Sequence, residues 1–301
     1  NLEMIQYHPT TAQISDKRML ISEAARGEGG RLFILKNGKP FYFMEDKYPE
    51  LGNLMPRDVV ARESVLVQRE EGTEGGIFLD LRGIPEETWR SKLSDLRKEV
   101  ITYLAVDPKK EPVPVEPGIH FFMGGLRVNK KHETSIRGLC AAGECAAIYH
   151  GANRLGGNSM LAALYGGRTA SDSAAEAAGD GCCADAARTA RRIRLTAPSL
   201  PAERIFLRRV LFSALGIIRS EEGLTLGLSA LEERKETPLG DTDRFRLLLG
   251  EAMLLSARMR KESRGAHFRE DFPAPSDEFA AKSCARYADD CITVTFEKET
   301  V

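Results

Sequence analysis

Short apolar runs that end in turn signals stand beside stretches of helical apolar spacing, and a chain that carries both reads as α+β. Over residues 1 to about 115 the apolar runs are short and end in turn signals: LFIL before KNGKP, GGIFLD before LRGIP. LFIL, then Asn37-Gly38, then FYFM reads as a β-hairpin on a two-residue turn. RDVVARESVLVQREE instead spaces its apolar residues for one face of an amphipathic helix. From 188 to 262 the helical spacing is almost continuous, strongest in RIFLRRVLFSALGII and DRFRLLLGEAMLLSARMRKE.

Between these regions the pattern is less regular. EPVPVEPG, 111–118, reads as a proline-punctuated extended connection that carries the chain from one domain into another. HFFMGGLRVN follows as a turn-rich strand-like segment, GLCAAGE as a buried strand, and a helix is predicted near 158–178. AAGDGCCADAA, 177–187, has the composition of a small-residue linker. No internal repeat is present.

Charge and thiols narrow the function classes. Lys and Arg number 43 against 44 Asp and Glu, a net charge of −1, so there is no bulk basic field to gather nucleic acid. No apolar run reaches the roughly 18 to 20 residues that cross a bilayer, and NLEMIQYHPT has neither part of a secretion signal. Six Cys, at 140, 145, 182, 183, 284 and 291, form no CxxC and no Cys/His zinc pattern. The expectation is a cytoplasmic protein with reduced thiols and no metal site.

The chemistry is concentrated at turns in the first 160 residues. HGANRLGGNSML, 150–161, places Arg154 and an Asn-Ser pair ahead of a helical run, the arrangement of a helix start that holds an anion. Gln6, His8 and Thr10, then Ser22, Glu23, Arg26 and Glu28, then Arg57 and Asp58, and then His120 occupy comparable positions. Each alone has a structural reading as a buried His, an ion pair or a turn. As a set they suit a small dianion, because Arg grips a carboxylate with a planar fork and His donates one aimed hydrogen bond. Spacing alone leaves open whether they converge.

Taken in order, MIQYHPT, LISEAARGEGG, MPRDVVARE, GIHFFMGGL, GLCAAGEC, HGANRLGGNSML and RKESRGAHFREDFP resemble the fumarate reductase/succinate dehydrogenase flavoprotein family, from residue 1 to about Pro273. The resemblance implies a capping domain over 1–115, the returning part of a Rossmann-like FAD-binding domain over 116–178, a helical domain over 179–272 and a C-terminal extension over 273–301. It implies FAD as cofactor and fumarate or succinate as substrate, interconverted by hydride transfer. The family's opening strand–GxGxxG–helix, which holds the FAD pyrophosphate, has no counterpart here, so the chain is expected to be the C-terminal portion of a longer flavoprotein.

Residue by residue, the resemblance makes Arg57 the proton donor in fumarate reduction, with Glu23 and Arg26 as the relay behind it. His8, Ser22, His120 and Arg154 would hold the substrate carboxylates; Ser22 stands where the family commonly has Thr. Glu144 would bind flavin hydroxyls, and the backbone at Asn158, Ser159 and Leu161 would face the flavin pyrimidine edge. Cys140 and Cys145 read as small buried residues on a strand and its turn, and Arg264, His267 and Arg269 as structural anchors. The nearest rival activity is L-aspartate oxidase; the other alternative is a catalytically silent fragment that cannot hold FAD. The resemblance leaves the electron partner open between an iron–sulfur subunit and another donor, with membrane association only through partner subunits on the cytoplasmic side.

Overall fold

Asn37 and Gly38 both adopt positive φ, 52° and 73°, the geometry a two-residue hairpin turn requires and the reason this dipeptide fixes the register of the strands around it. A computed structural model describes residues 1–15, 17–179, 200–237 and 239–298. The chain forms two units, Gln6–His120 and Asn1–Ile5 with Phe121–Val301.

In the first unit the strands are β1 (Ile5–Ile14), β2 (Lys17–Leu20), β3 (Arg31–Lys36), β4 (Lys39–Phe41), β5 (Thr73–Asp80) and β6 (Val113–Phe122). They form one sheet in the order β2-β1-β6-β5-β3-β4. The helices are α1 (Ala24–Gly27), α2 (Phe43–Lys47), α3 (Arg57–Val67), α4 (Glu86–Ser91) and α5 (Ser94–Leu104). The core is the apolar face of β3, β5 and β6, with Leu32, Ile34, Ile77, Leu79, Val113 and Val115 packed against Val60 and Val67 of α3 and Trp89 of α4.

Two sequence expectations change here. FYFM does not run on as a strand: only Phe41 pairs, with Ile34, and Phe43 and Met44 turn inward on α2. EPVPVEPG is not a connection but the body of β6, paired with β5 through Val113↔Leu79, Pro114↔Phe78 and Val115↔Ile77. Its burial alternates, Val113 and Val115 inward and Pro114 and Glu116 outward, which is strand periodicity. The prolines lack the ladder N–H. Side chains supplement the ladder: Thr11 Oγ1 donates to the Glu116 carbonyl at 2.8 Å and Arg18 Nη1 to that of Pro117 at 2.9 Å.

The second unit contains α6 (Asn158–Gly179), α7 (Pro201–Ala214), α8 (Glu221–Lys235), α9 (Asp241–Met259) and the hairpin β7 (Lys282–Ala288) and β8 (Cys291–Glu297). The three later helices meet at small residues. A Cβ on Gly227 would stand 2.8 Å from that of Ala214 and 3.3 Å from the Leu254 methyls. GLCAAGE is not a strand: a single bridge joins Cys140 to Glu133, and residues Gly143–Cys145 form a 3₁₀ turn. Gly138 and Gly143, at φ 81° and 74°, break the extension on either side. Cys140 is therefore half-buried and Cys145 exposed. Of the linker reading at 177–187, residues 180–187 lie outside the described residues.

Buried arginines tie distant parts of this unit together. Arg260, with no exposed surface, donates to Glu3 at 2.7 Å, Glu262 at 2.8 Å and the carbonyls of Phe279 at 2.6 Å and Ala281 at 2.8 Å. Arg269 donates to the Ala257 and Arg258 carbonyls in the last turn of α9, each at 3.2 Å, and to Asp271 and Glu221. Arg219 donates to His267 Nδ1 at 2.7 Å and to the Glu3 carbonyl at 2.7 Å.

Gly227→Ala is expected to destabilise the protein by about 1–3 kcal/mol through overpacking. Gly167→Ala on α6, whose Cβ meets nothing within 4 Å, is expected to stabilise it slightly. Thermal melts followed by circular dichroism check both signs.

Candidate functional site

The candidate residues fall into two clusters, one in each unit. In Gln6–His120 the cluster is built on α1, a single turn that SEAARG forms because two glycines stop it. Gly30 N–H bonds to the Ala25 carbonyl at 2.8 Å, so close that a Cβ on Gly30 would lie 2.5 Å from that oxygen and 2.6 Å from Leu81. RGEGG is thus a helix stop that points Glu23 and Arg26, three residues apart, to one side.

Glu23 lies between two guanidiniums. Arg57 donates to it from Nε, at 3.1 Å to each oxygen, and from Nη2. Arg26 donates to it from Nη2 at 3.1 Å, and from Nη1 to the Asn53 carbonyl at 2.6 Å. Arg57 is the first residue of α3, where the helix dipole disfavours a cation, so Glu23 offsets a local penalty as well as pairing the charge. The Arg57 hydrogen bond, opposed by partial burial, holds the Glu23 carboxyl below the usual carboxylate range. Burial pushes the Arg26 guanidinium down, opposed by Glu23.

His8, 1% exposed on β1, stands with its ring edge toward that of His120, centroids 5.4 Å apart. Its Nδ1 lies 3.2 Å from the Thr10 carbonyl, an acceptor, and 3.3 Å from the Thr10 N–H, a donor, so these contacts alone do not select one tautomer. Burial, then the cations of Arg57 and Arg26, lower the His8 pKa to about 3. The ring is neutral at ordinary pH, and the cluster holds two cations, Arg26 and Arg57, against one anion, Glu23.

Three buried atoms of this cluster have no hydrogen-bond partner among the described residues: His8 Nε2, Arg26 Nε and Arg57 Nη1. A buried donor without an acceptor costs about 1–3 kcal/mol and is the mark of a site built for something else. Ser22 is exposed, and its hydroxyl accepts from the Ala24 N–H at 3.3 Å. Glu28 pairs with Lys92 outside the cluster.

In the second unit Arg154 is 4% exposed, its guanidinium carbon 4.5 Å above the Phe121 ring. His150 meets the same ring edge-on at 5.2 Å; burial, then Arg154, lowers its pKa. Glu144 is exposed and accepts the Phe122 N–H at 2.9 Å. Asn158, Ser159 and Leu161 form the first turn of α6, which carries no acidic residue. Asn158 and Leu161 line an open cleft of about 280 Å³ with Tyr149, His150, Ala162 and Tyr165.

Sequence reasoning missed several supports. Asn53 holds Arg26 through its carbonyl and the Leu32 N–H through its side chain, and nothing local in LGNLMP announces that. His132, fully buried at φ 64°, donates from Nδ1 to the Ala141 carbonyl at 2.7 Å and accepts the Tyr149 hydroxyl at Nε2. Among the described residues, no three or more His, Cys, Asp or Glu are placed to hold a metal ion, and no helix is long and apolar enough to cross a membrane.

Residues 1–160 match the family described as "FAD binding domain", and residues 244–301 match "Fumarate reductase flavoprotein C-term", so the resemblance extends past Pro273. The chain is 35% identical to a succinate dehydrogenase flavoprotein subunit of Bacillus subtilis, covering 92% of this chain and 54% of that protein. It is 36% identical to an L-aspartate oxidase of Pyrococcus furiosus, over 95% of this chain and 55% of that one. Among solved structures, the FrdA chain of an E. coli quinol fumarate reductase variant superposes with a TM-score of 0.81 at 30% identity, covering 99% of this chain and 58% of that one. The chain thus spans about half the length of the curated relatives it matches.

With His8 folded at about pH 3 against about 6.5 unfolded, the unfolded chain binds the extra proton. This group's contribution to stability is therefore complete above pH 6.5 and is lost as pH falls toward 3. We expect ¹⁵N NMR to show a neutral His8 ring from pH 8 to 5. Arg57→Ala should raise the His8 pKa by removing a neighbouring cation.

Proposed function

The chain belongs to the fumarate reductase/succinate dehydrogenase flavoprotein family, and on that premise we propose that it serves an FAD-dependent oxidoreductase that interconverts fumarate and succinate. The observation that carries the reading is the pair of buried, unpartnered guanidinium donors, Arg26 Nε and Arg57 Nη1, beside the unpartnered His8 Nε2 in a cluster of net positive charge. Two carboxylate oxygens of a dianion are what such donors lack.

The second unit fits a flavin in its donor set and its shape. Glu144 spends one oxygen on Phe122 N–H, which leaves the other to accept a hydroxyl. The start of α6 offers backbone N–H groups and the positive end of a 22-residue helix dipole, unopposed by acidic side chains in its first turn. Beside it the cleft presents the apolar and aromatic surface of Leu161, Ala162, Tyr149 and Tyr165 to a flat ring. Glu144, Asn158, Ser159 and Leu161 would hold the FAD. The chemistry it supplies when bound is hydride transfer between its N5 and a carbon of the dicarboxylate.

The protein's own residues account for the rest. In the second unit Arg154 offers a guanidinium for a carboxylate, with Phe121 fixing its plane; in the first, His8, His120 and Ser22 offer polar groups for carboxylate oxygens. Arg57 engages Glu23 through its Nε and Nη2 edge, which leaves Nη1 to deliver a proton to the carbon next to the one that receives the hydride. An arginine is a reluctant acid, and transfer needs a strongly basic acceptor and prompt reprotonation. Glu23, bonded to both Arg57 and Arg26, is placed to return that proton. Electrons for fumarate reduction come from a partner, an iron–sulfur subunit being one form that the family resemblance implies.

The test is a panel of fumarate, succinate and L-aspartate with the flavin-loaded protein. Turnover of the first two supports the reading; turnover of aspartate alone replaces it with L-aspartate oxidase, and absence of bound flavin sinks both. Within the panel, Arg57→Ala is expected to lower kcat by about 10²- to 10⁴-fold while leaving dicarboxylate binding measurable. Unchanged turnover would remove Arg57 from proton delivery.

A further inference from the structure

The ESRGAHFRED stretch is the one motif in the chain to which the proposed reaction gives no task. At its centre Arg264 and His267 close a tight turn, Arg264 N–H to the His267 carbonyl at 2.8 Å and His267 N–H to the Arg264 carbonyl at 3.0 Å. Gly265 sits at φ 55°. The turn presents the Ala266 N–H to the carbonyl of Ala152, at 2.9 Å. Contact is so close that a Cβ on Gly265 would lie 2.5 Å from the Ala152 oxygen and 2.7 Å from its carbon. Glycine is therefore required twice, by backbone conformation and by space.

Ala152 lies two residues before Arg154. The Ala266 methyl packs in one apolar cluster with Met4, Phe121 and Met123, and Ala152 rests against that cluster. Phe121 is the ring beneath the Arg154 guanidinium. The turn thus touches both supports of Arg154: the backbone of its loop, and the aromatic surface on which its side chain lies.

The turn is itself held from behind by buried charge. Arg264 forks onto Glu262 at 2.9 and 3.0 Å, and Glu262 also accepts the Ser276 N–H at 2.8 Å and Arg260 at 2.8 Å. His267 accepts from Arg219 at Nδ1; burial, then Arg219, lowers its pKa to about 3, so it stays a neutral acceptor. Such a fixed backing keeps the Ala266 N–H in one place.

We propose that the Arg264–His267 turn, through Gly265 and Ala266, is a positioning element for Arg154, setting the loop and the ring that aim its guanidinium at a substrate carboxylate. This rests on the reading that Arg154 binds that carboxylate. Gly265 and Ala266 touch no substrate; they act through Ala152 and Phe121.

Malonate, a dicarboxylate that cannot be turned over, serves as the probe, and isothermal titration to the flavin-loaded protein gives its Kd. Gly265→Ala is expected to weaken malonate binding about five- to tenfold, the scale of one lost hydrogen bond. Arg154→Ala should weaken it more, and Gly265→Ala added to Arg154→Ala should cost nothing further, because the residue it acts through is gone. A merely structural role would not produce that silence. A wild-type Kd for Gly265→Ala, or an equal further loss in the Arg154→Ala background, overturns the proposal. If Arg154→Ala itself leaves the Kd unchanged, the carboxylate-binding reading falls, and the proposal with it. Should Gly265→Ala not fold, Glu262→Gln loosens the turn without adding atoms near Ala152; it must give the same pattern, weaker binding alone and none added to Arg154→Ala, and any other pattern overturns the proposal.

Discussion

Three guanidiniums, those of Arg219, Arg260 and Arg269, have essentially no exposed surface, and a buried cation that cannot lose its proton must be met by acceptors on every side. That demand organises the Phe121–Val301 part of the chain. Arg260 draws in the carbonyls that precede β7 together with Glu3, 257 positions away in sequence. Arg269 closes the carbonyl end of α9. Arg219 fixes the tautomer of His267. Taking a partner away leaves a buried cation short of an acceptor, which costs more than the contact stabilises.

The same physics runs at smaller scale around Glu23, with a different outcome. There the acceptors do not suffice: one carboxylate and one backbone carbonyl serve two guanidiniums, and Arg57 Nη1 is left without a partner among the described residues. Arg260 and Arg269 are fully supplied with acceptors, whereas Arg219 Nη2, Arg26 Nε and Arg57 Nη1 are buried without one among the described residues.

Local signals in the sequence were legible where the physics is local. Asn37-Gly38 specifies its turn by backbone sterics, and RDVVARESVLV specifies α3 by the spacing of its apolar face. At β6 the prolines punctuate a segment whose valines nevertheless alternate inward, and it is the alternation that the fold follows. GLCAAGE has the composition of a strand, but Gly138 and Gly143 at positive φ set its backbone instead. Ordered motifs brought Glu23, Arg26 and Arg57 to notice, and the structure places them in one cluster. The contacts of Asn53 with Arg26, Phe121 with Arg154, and Ala266 with Ala152 join residues far apart in sequence, and no periodicity announces them.

The double engagement of Glu23 also bears on how this chain can change over generations. A replacement at position 23 strands two neighbouring cations at once, whereas a replacement at 26 or 57 relieves one of them. The three positions are therefore not free to drift independently, and the order of substitutions matters: a lineage abandoning this cluster passes more easily by losing an arginine first and the glutamate last. One shared carboxylate turns three separate sites into a single heritable unit.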